Sequence, residues 1–154
     1  MSESSYSGNE VQLVIFKLGR EEYGVSILQV QEIKRMTDIA RVPHAPDYIK
    51  GVMNLRGSVL PVIDLKKRLN LPHQEYTEDT RIVIVKIDEV AVGMIVDAVS
   101  EVMAIEQENI DAPDIVVSGV DAEYLNGVGK LENRLIILIN LESITGIGQE
   151  PKAS

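Results

Sequence analysis

Two histidines, His44 and His73, and no cysteine make up the soft metal ligands and imidazole bases of this 154-residue chain. Structural zinc takes Cys and His at close spacing, so two distant histidines without a thiolate do not frame a metal site. Neither histidine stands near a nucleophile-elbow pattern, and a Ser–His relay therefore has no starting pair. Both read as loop residues. Gly127-Val128-Gly129-Lys130 invites comparison with a phosphate loop, but that motif needs glycine where Tyr124 stands and Ser or Thr where Leu131 follows the lysine. The dinucleotide fingerprint fails at Glu132, so the segment reads as a turn between strands. The acid pairs Asp111/Asp114 and Asp121/Glu123 lack the glycine that a calcium loop requires at its sixth position, and they read as a solvated face.

Carboxylates can act as general acid and base from anywhere in a fold, so a small carboxylate-dependent enzyme stays open on these residues alone. A ligand-sensing β domain with an internal cavity stays open beside it. The least ordinary side chain is Arg56, held between Leu55 and Gly57 in the turn Asn54-Leu55-Arg56-Gly57-Ser58. A five-donor guanidinium on a short, well-fixed segment suits protein docking, and equally suits a bridge to a nearby acid. Ser26 is spaced from Gln29 as in a capping box, and Ile27, Val30 and Ile33 recur every third residue, predicting a helix of about two turns. Val30 then belongs to the core, and Glu32 pairs with Lys34 or Arg35.

The elements that position these residues are written twice. Residues 11–33 match 80–102 at a constant offset of 69, which places Gly24 on Gly93, Val30 on Val99 and Glu32 on Glu101. Farther along the offset becomes 76: Tyr48, Gly51 and Val52 meet Tyr124, Gly127 and Val128, and residues 59–65 meet 135–141. Such a repeat predicts two similar β subdomains, with a small insertion in the second. Each half, at about 70 residues, lies near the size where one core no longer suffices alone, so the halves are expected to bury a common apolar face. Residues 13–18, 22–26, 52–55, 59–63, 81–87, 90–96, 99–105 and 135–139 read as strands. Their near-continuous apolar character predicts burial on both faces. Asp64 and Asn140 are placed to cap short helices, the second of which ends at Gly146.

The formal net charge is −9, from 24 acids against 15 bases. That balance repels phosphate backbones and anionic lipid, which argues against a nucleic-acid or membrane-surface partner. No apolar stretch approaches a membrane span, and the polar first nine residues lack the pattern of a signal peptide. Together with the absence of cysteine, this reading is of a soluble cytoplasmic protein.

Tyr23-Gly24-Val25, Val30-Gln31-Glu32-Ile33 and the run Tyr48-Ile49-Lys50-Gly51-Val52-Met53-Asn54-Leu55-Arg56-Gly57 resemble the CheW family of bacterial chemotaxis coupling proteins. Leu60-Pro61-Val62-Ile63-Asp64-Leu65 continues the likeness. Val92-Gly93, Val96-Asp97-Ala98-Val99-Ser100-Glu101-Val102 and Glu123-Tyr124-Leu125-Asn126-Gly127 carry it into the second half. It covers residues 11–144, and the Asn-Leu-Arg-Gly turn is its most specific part. The resemblance implies a mainly β fold of two pseudo-symmetric SH3-like five-stranded barrels sharing a hydrophobic core, with a few short helices.

Within the domain expected over 10–147, the subdomains are about 10–72 and 80–147, between disordered tails at 1–9 and 148–154. It further implies a non-enzymatic adaptor, without cofactor or metal, linking methyl-accepting chemoreceptor tips to the regulatory domain of the histidine kinase CheA. Val30, Glu32, Gly51, Arg56, Gly93 and Val102 match family positions implicated in receptor or kinase docking. A groove between the barrels would take a receptor helix, with Val102 supplying apolar contact and Arg56 a polar clamp. The cytoplasmic face of the membrane, at receptor arrays, is the implied location. The kinase domain itself, or the related form with an appended receiver, is disfavoured because the chain carries neither module.

Overall fold

The structure, a computed structural model, describes residues 9–112 and 120–147. The tails expected to be disordered lie outside the described residues except for Asn9, and Asp114 also falls outside. The chain runs β1 (Glu10–Leu18), β2 (Glu21–Ser26), a 3₁₀ turn (Ile27–Gln29), β3 (Val30–Arg35), β4 (Ile49–Leu55), β5 (Ser58–Asp64) and α1 (Leu65–Arg68). It continues with β6 (Arg81–Ile87), β7 (Val90–Val96), β8 (Ala98–Glu106), β9 (Ile110–Asp111), β10 (Leu125–Leu131), β11 (Arg134–Ile139) and α2 (Leu141–Thr145). Single 3₁₀ turns precede β9 and β10.

These strands form two sheets, ordered β9-β10-β11-β2-β1-β8 and β3-β6-β7-β5-β4. The two orders are the same motif seen twice. In each, a hairpin of one half joins a strand of the other in parallel: Leu138 opposite Gly24 in the first sheet, Val62 opposite Gly93 in the second. The repeat offsets map one pairing onto the other. Each SH3-like barrel thus takes its first hairpin from the opposite half of the sequence, and the repeat boundary does not coincide with the sheet boundary.

This exchange explains the strands without a polar face. In β6, Ile82 and Ile84 fill one barrel with Met53, Leu60 and Val62, while Val83, Val85 and Ile87 point the other way. In β1, Leu13 and Ile15 fill the second barrel with Ile105, Ile136 and Leu138, while Val14, Phe16 and Leu18 point outward. The outward rows of both sheets meet in one common core that also holds Tyr23, Met94, Ile137 and Ile139. Alternate side chains go to two different cores, so the period of two is real although every residue is apolar.

Two local readings change. The helix expected after Ser26 is one 3₁₀ turn, Ser26 Oγ accepting from the Leu28 N–H at 3.2 Å, and Val30 already begins a strand. Val30, Glu32 and Lys34 are half-buried while Gln31, Ile33 and Arg35 are exposed, a period of two. Pairing with β6 recruits β-branched residues that a period-three count assigned to a helix. The Gly127-Val128-Gly129 segment, expected to be a turn, lies inside β10, and the hairpin reverses between Leu131 and Arg134. Its glycines let other groups approach: a Cβ on Gly127 would stand 2.8 Å from the Asp111 carbonyl oxygen. The expected caps hold, Asp64 accepting from Lys67 N–H and Asn140 from Ser143 N–H.

Candidate docking surface

The chain crosses between barrels twice, through the 3₁₀ turn before β3 and through Asp97 before β8. β3 and β8 therefore both start at the seam and run outward as the corresponding edge strands of their sheets. Val30 pairs with Val85, Ile33 with Val83 and Val102 with Val14. All three partners belong to the common core, so Val30, Ile33 and Val102 face the inter-barrel side. Val30 and its repeat mate Val99 pack against that core, whereas the next mates outward, Ile33 and Val102, are 41% and 55% exposed. Leu28, at the tip of the capped turn, is 92% exposed. The result is an apolar margin on both edges at the seam, with Ile33 and Val102 as repeat mates and Leu28, whose mate is Asp97, extending it on one side only. An edge strand with unburied apolar side chains is a surface that calls for a partner.

Glu32 and Glu101, repeat mates, point the other way, opposite Ile84 and Ile15 of the barrel interiors. Each meets an arginine from the far hairpin of its barrel. Arg56 Nη2 donates to Glu32 Oε2. Arg134 donates to Glu101 at 2.9 Å and, as a fork, to Glu22 at 3.0 and 2.8 Å. Glu32 and Arg56 lie on or beside β3 and β4, the two ends of the second sheet's strand order, so their ion pair closes that barrel's rim. The hydrogen bond from Arg56 holds the Glu32 carboxyl below the usual carboxylate range, and the charge of Lys34 acts in the same direction. The same bond holds the Arg56 guanidinium above its ordinary value.

Arg56 occupies the left-handed region at φ 48°, followed by Gly57 at 88°, and Leu55 pairs directly with Ser58. That is a type I′ hairpin turn, where Asn or Asp followed by Gly is preferred. A long side chain at the first of these positions costs local strain, and strained turn residues concentrate at functional surfaces.

Gly51 and Gly93 are positioned differently. A Cβ on Gly51, at φ 155°, would lie 2.2 Å from the Ala40 carbonyl oxygen, whose strand bridge to Val52 it would break. A Cβ on Gly93 would stand 2.9 Å from Ile82 Cγ2 inside the barrel. Both act on the barrel from within, and Val102 stands apart on the other barrel's edge.

Away from this margin, Arg68 fastens the halves together. Its guanidinium lies 4.1 Å from the Tyr48 ring and 5.0 Å from that of Tyr124, which are repeat mates. It donates to the carbonyls of Ile144 and Ser143 at 2.8 and 3.2 Å. Two cavities of about 700 and 560 Å³ flank α1 on this side, and neither is lined by Val30, Glu32, Arg56 or Val102. The two histidines stay apart from the margin: His73 edges onto Tyr76, and His44 sits in the loop before β4. Among the described residues no group of three or more His, Asp or Glu side chains is placed to hold a metal ion. Among the described residues no helix is long and apolar enough to cross a membrane.

Sequence reasoning singled out Val30, Glu32, Arg56 and Val102 but passed over Leu28, Ile33, Glu101 and Arg134. The repeat held the signal for two of these, since it maps Glu32 onto Glu101 and Ile33 onto Val102.

Two intertwined SH3-like barrels with an apolar margin at their seam and a charged rim define a docking scaffold. Residues 12–147 match the model of the CheW-like domain. The chain is 40% identical to the chemotaxis protein CheW of Klebsiella aerogenes, over 86% of this chain and 80% of that protein. It is likewise 40% identical to the CheW of Bacillus subtilis, over 86% of this chain and 85% of that one. The crystal structure of the scaffolding protein TtCheW from Thermoanaerobacter tengcongensis superposes with a TM-score of 0.84 at 37% identity, covering 90% and 94% of the two chains. The chain belongs to the CheW family of bacterial chemotaxis coupling proteins.

Proposed function

We propose that this protein is a non-enzymatic adaptor that couples the cytoplasmic tips of methyl-accepting chemoreceptors to the regulatory domain of the histidine kinase CheA. It works in the cytoplasm, recruited to receptor arrays at the inner face of the membrane. The observation that carries this reading is the seam margin: Leu28, Ile33 and Val102 exposed on rigid edges, with Val30 and Val99 anchoring them to the core. A receptor hairpin offers an amphipathic helix, whose apolar stripe buries in such a surface. On the opposite face of β3 the pair Glu32–Arg56 offers a second, preorganised polar contact, and a fixed arginine suits a binding hot spot.

Gly51 and Gly93 contribute by holding β4 and β7 in shape, so their effect on docking is indirect. Individual contacts of this size are weak, and many copies in an array supply avidity through effective concentration. The adaptor transmits a signal only where receptor states differ in their contacts with it, because a ligand shifts an equilibrium by its differential affinity.

Pull-down with a receptor tip fragment and with a kinase regulatory fragment tests the proposal. Val102→Asp, on an exposed position, is expected to abolish capture of one fragment while sparing the other and leaving thermal stability unchanged. Arg56→Ala is expected to weaken at least one complex by about 10- to 1000-fold, the span for an interface anchor. Wild-type capture of both fragments by both variants would overturn the reading.

A further inference from the structure

The cavity of about 700 Å³ beside α1 has a charge opposite to that of the whole protein. The chain carries −9, yet Arg41, Lys50, Lys66 and Lys67 line this cavity against Asp47 and Asp64. Lys66 and Lys67 are neighbours on α1, and the fold brings Arg41 from the loop before β4 and Lys50 from β4 to them. Lys66 is already committed, buried and donating to Asp97 at 2.9 Å and Gln74 at 3.0 Å. Asp64 is committed as well, accepting from the Lys67 N–H and from the Tyr76 hydroxyl. Among the described residues, Arg41, Lys50 and Lys67 take part in no ion pair. Lys50 is nonetheless held in place, its ammonium 5.2 Å from the Tyr76 ring. Asp47 is the one opposing carboxylate on these walls with no described partner.

We infer that this cavity binds a polyphosphate-type anion, a chain of linked phosphates free or carried on a nucleotide, clamped by Arg41, Lys50 and Lys67. The volume falls within the range of small-ligand sites. Three cations spread over three segments need several anionic groups in one ligand to engage them together. Arginine offers a two-pronged fork to phosphate oxygens, and lysine a compact point charge. A single carboxylate would satisfy one cation and leave the others as they are. The site is separate from the seam margin, and the inference does not rest on the adaptor reading.

Titration of the full chain with inorganic triphosphate, and separately with ATP, followed by calorimetry and backbone amide shifts, tests this. Saturable one-site binding is expected, with shifts confined to residues 39–50 and 64–73 and affinity falling steeply with salt. Arg41→Glu and Lys67→Glu are each expected to weaken binding about tenfold or more, as loss of a charge-assisted contact does. Lys86→Glu, on an exposed lysine paired with Glu89 on another surface, is expected to leave it unchanged. Equal affinity for the two probes assigns recognition to the phosphates. The inference is overturned if millimolar triphosphate fails to saturate, if Lys86→Glu weakens it as much as Lys67→Glu, or if only ATP binds. All three variants lie at exposed side chains, and thermal unfolding checks that each retains the fold.

Discussion

Replacing Arg68 with alanine should loosen the joint between the halves. The side chain is half-buried, sandwiched between Tyr48 and Tyr124, and bonded to two carbonyls at the end of α2. Hydrogen bonds from a charged donor contribute about 1.5–3 kcal/mol when buried, and about 1 kcal/mol each here, because water reaches the freed carbonyls of a half-buried site. Each ring contact adds about 0.5–1 kcal/mol. The sum is a loss of about 3–4 kcal/mol, or about 6–16 °C in Tm for a chain of this size. Urea unfolding followed by circular dichroism measures the loss. Arg68→Lys keeps the charge but not the fork, and should recover less than half of it. Tyr48→Leu and Tyr124→Leu should each cost less than Arg68→Ala and couple to it in double-mutant cycles, since all three share one contact. A loss for Arg68→Ala below about 0.5 kcal/mol, within the range of an ordinary surface substitution, would refute the joint.

Asp97→Ala should destabilise the fold by about 2–3 kcal/mol, because it leaves the buried Lys66 ammonium only Gln74 as acceptor and frees the Gly19 N–H, whereas Lys66→Met should cost far less. Denaturant midpoints of the two variants check that asymmetry. Gly51→Ala should cost more stability than Gly93→Ala, since its Cβ meets a carbonyl oxygen at 2.2 Å and the other meets a side-chain methyl at 2.9 Å. The Tyr23 hydroxyl is buried with no partner among the described residues, so Tyr23→Phe should raise the unfolding midpoint at neutral pH. Burial pushes the Tyr23 and Tyr76 phenols up to about 12 from an ordinary 10.0, aided by the charges of Glu21 and Asp64 respectively. These raised values favour the neutral phenol in the folded state, so stability holds below pH 10 and falls as pH rises from about 10 to about 12. Alkaline unfolding midpoints in wild type and Tyr23→Phe check this, the variant losing less over that window.

Much of this molecule was legible in its residue order. The offsets of 69 and 76 announced a doubled β motif, and the runs at 81–87 and 90–96 matched strands β6 and β7 to the residue. Asp64, Asn140 and Gly146 marked their helix ends because a cap is a local interaction, complete within a few residues. Failures came where a local pattern had two readings. Ile27, Val30 and Ile33 suited a helix by spacing, and pairing with β6 decided for a strand. Gly127 and Gly129 suited a turn by composition, and the close approach of Asp111 and Ile105 decided for the middle of a strand.

By itself the sequence showed two matching β units and led to the expectation that they bury a common apolar face. Only the tertiary structure decided that the units trade hairpins. Strand pairing between distant segments depends on which edges remain open once each half has folded, and no residue records that locally. Folding also brings Arg56 to Glu32, Arg68 between Tyr48 and Tyr124, and three unpaired cations to one cavity. Side chains set their chemistry by type, but their company is set by the fold.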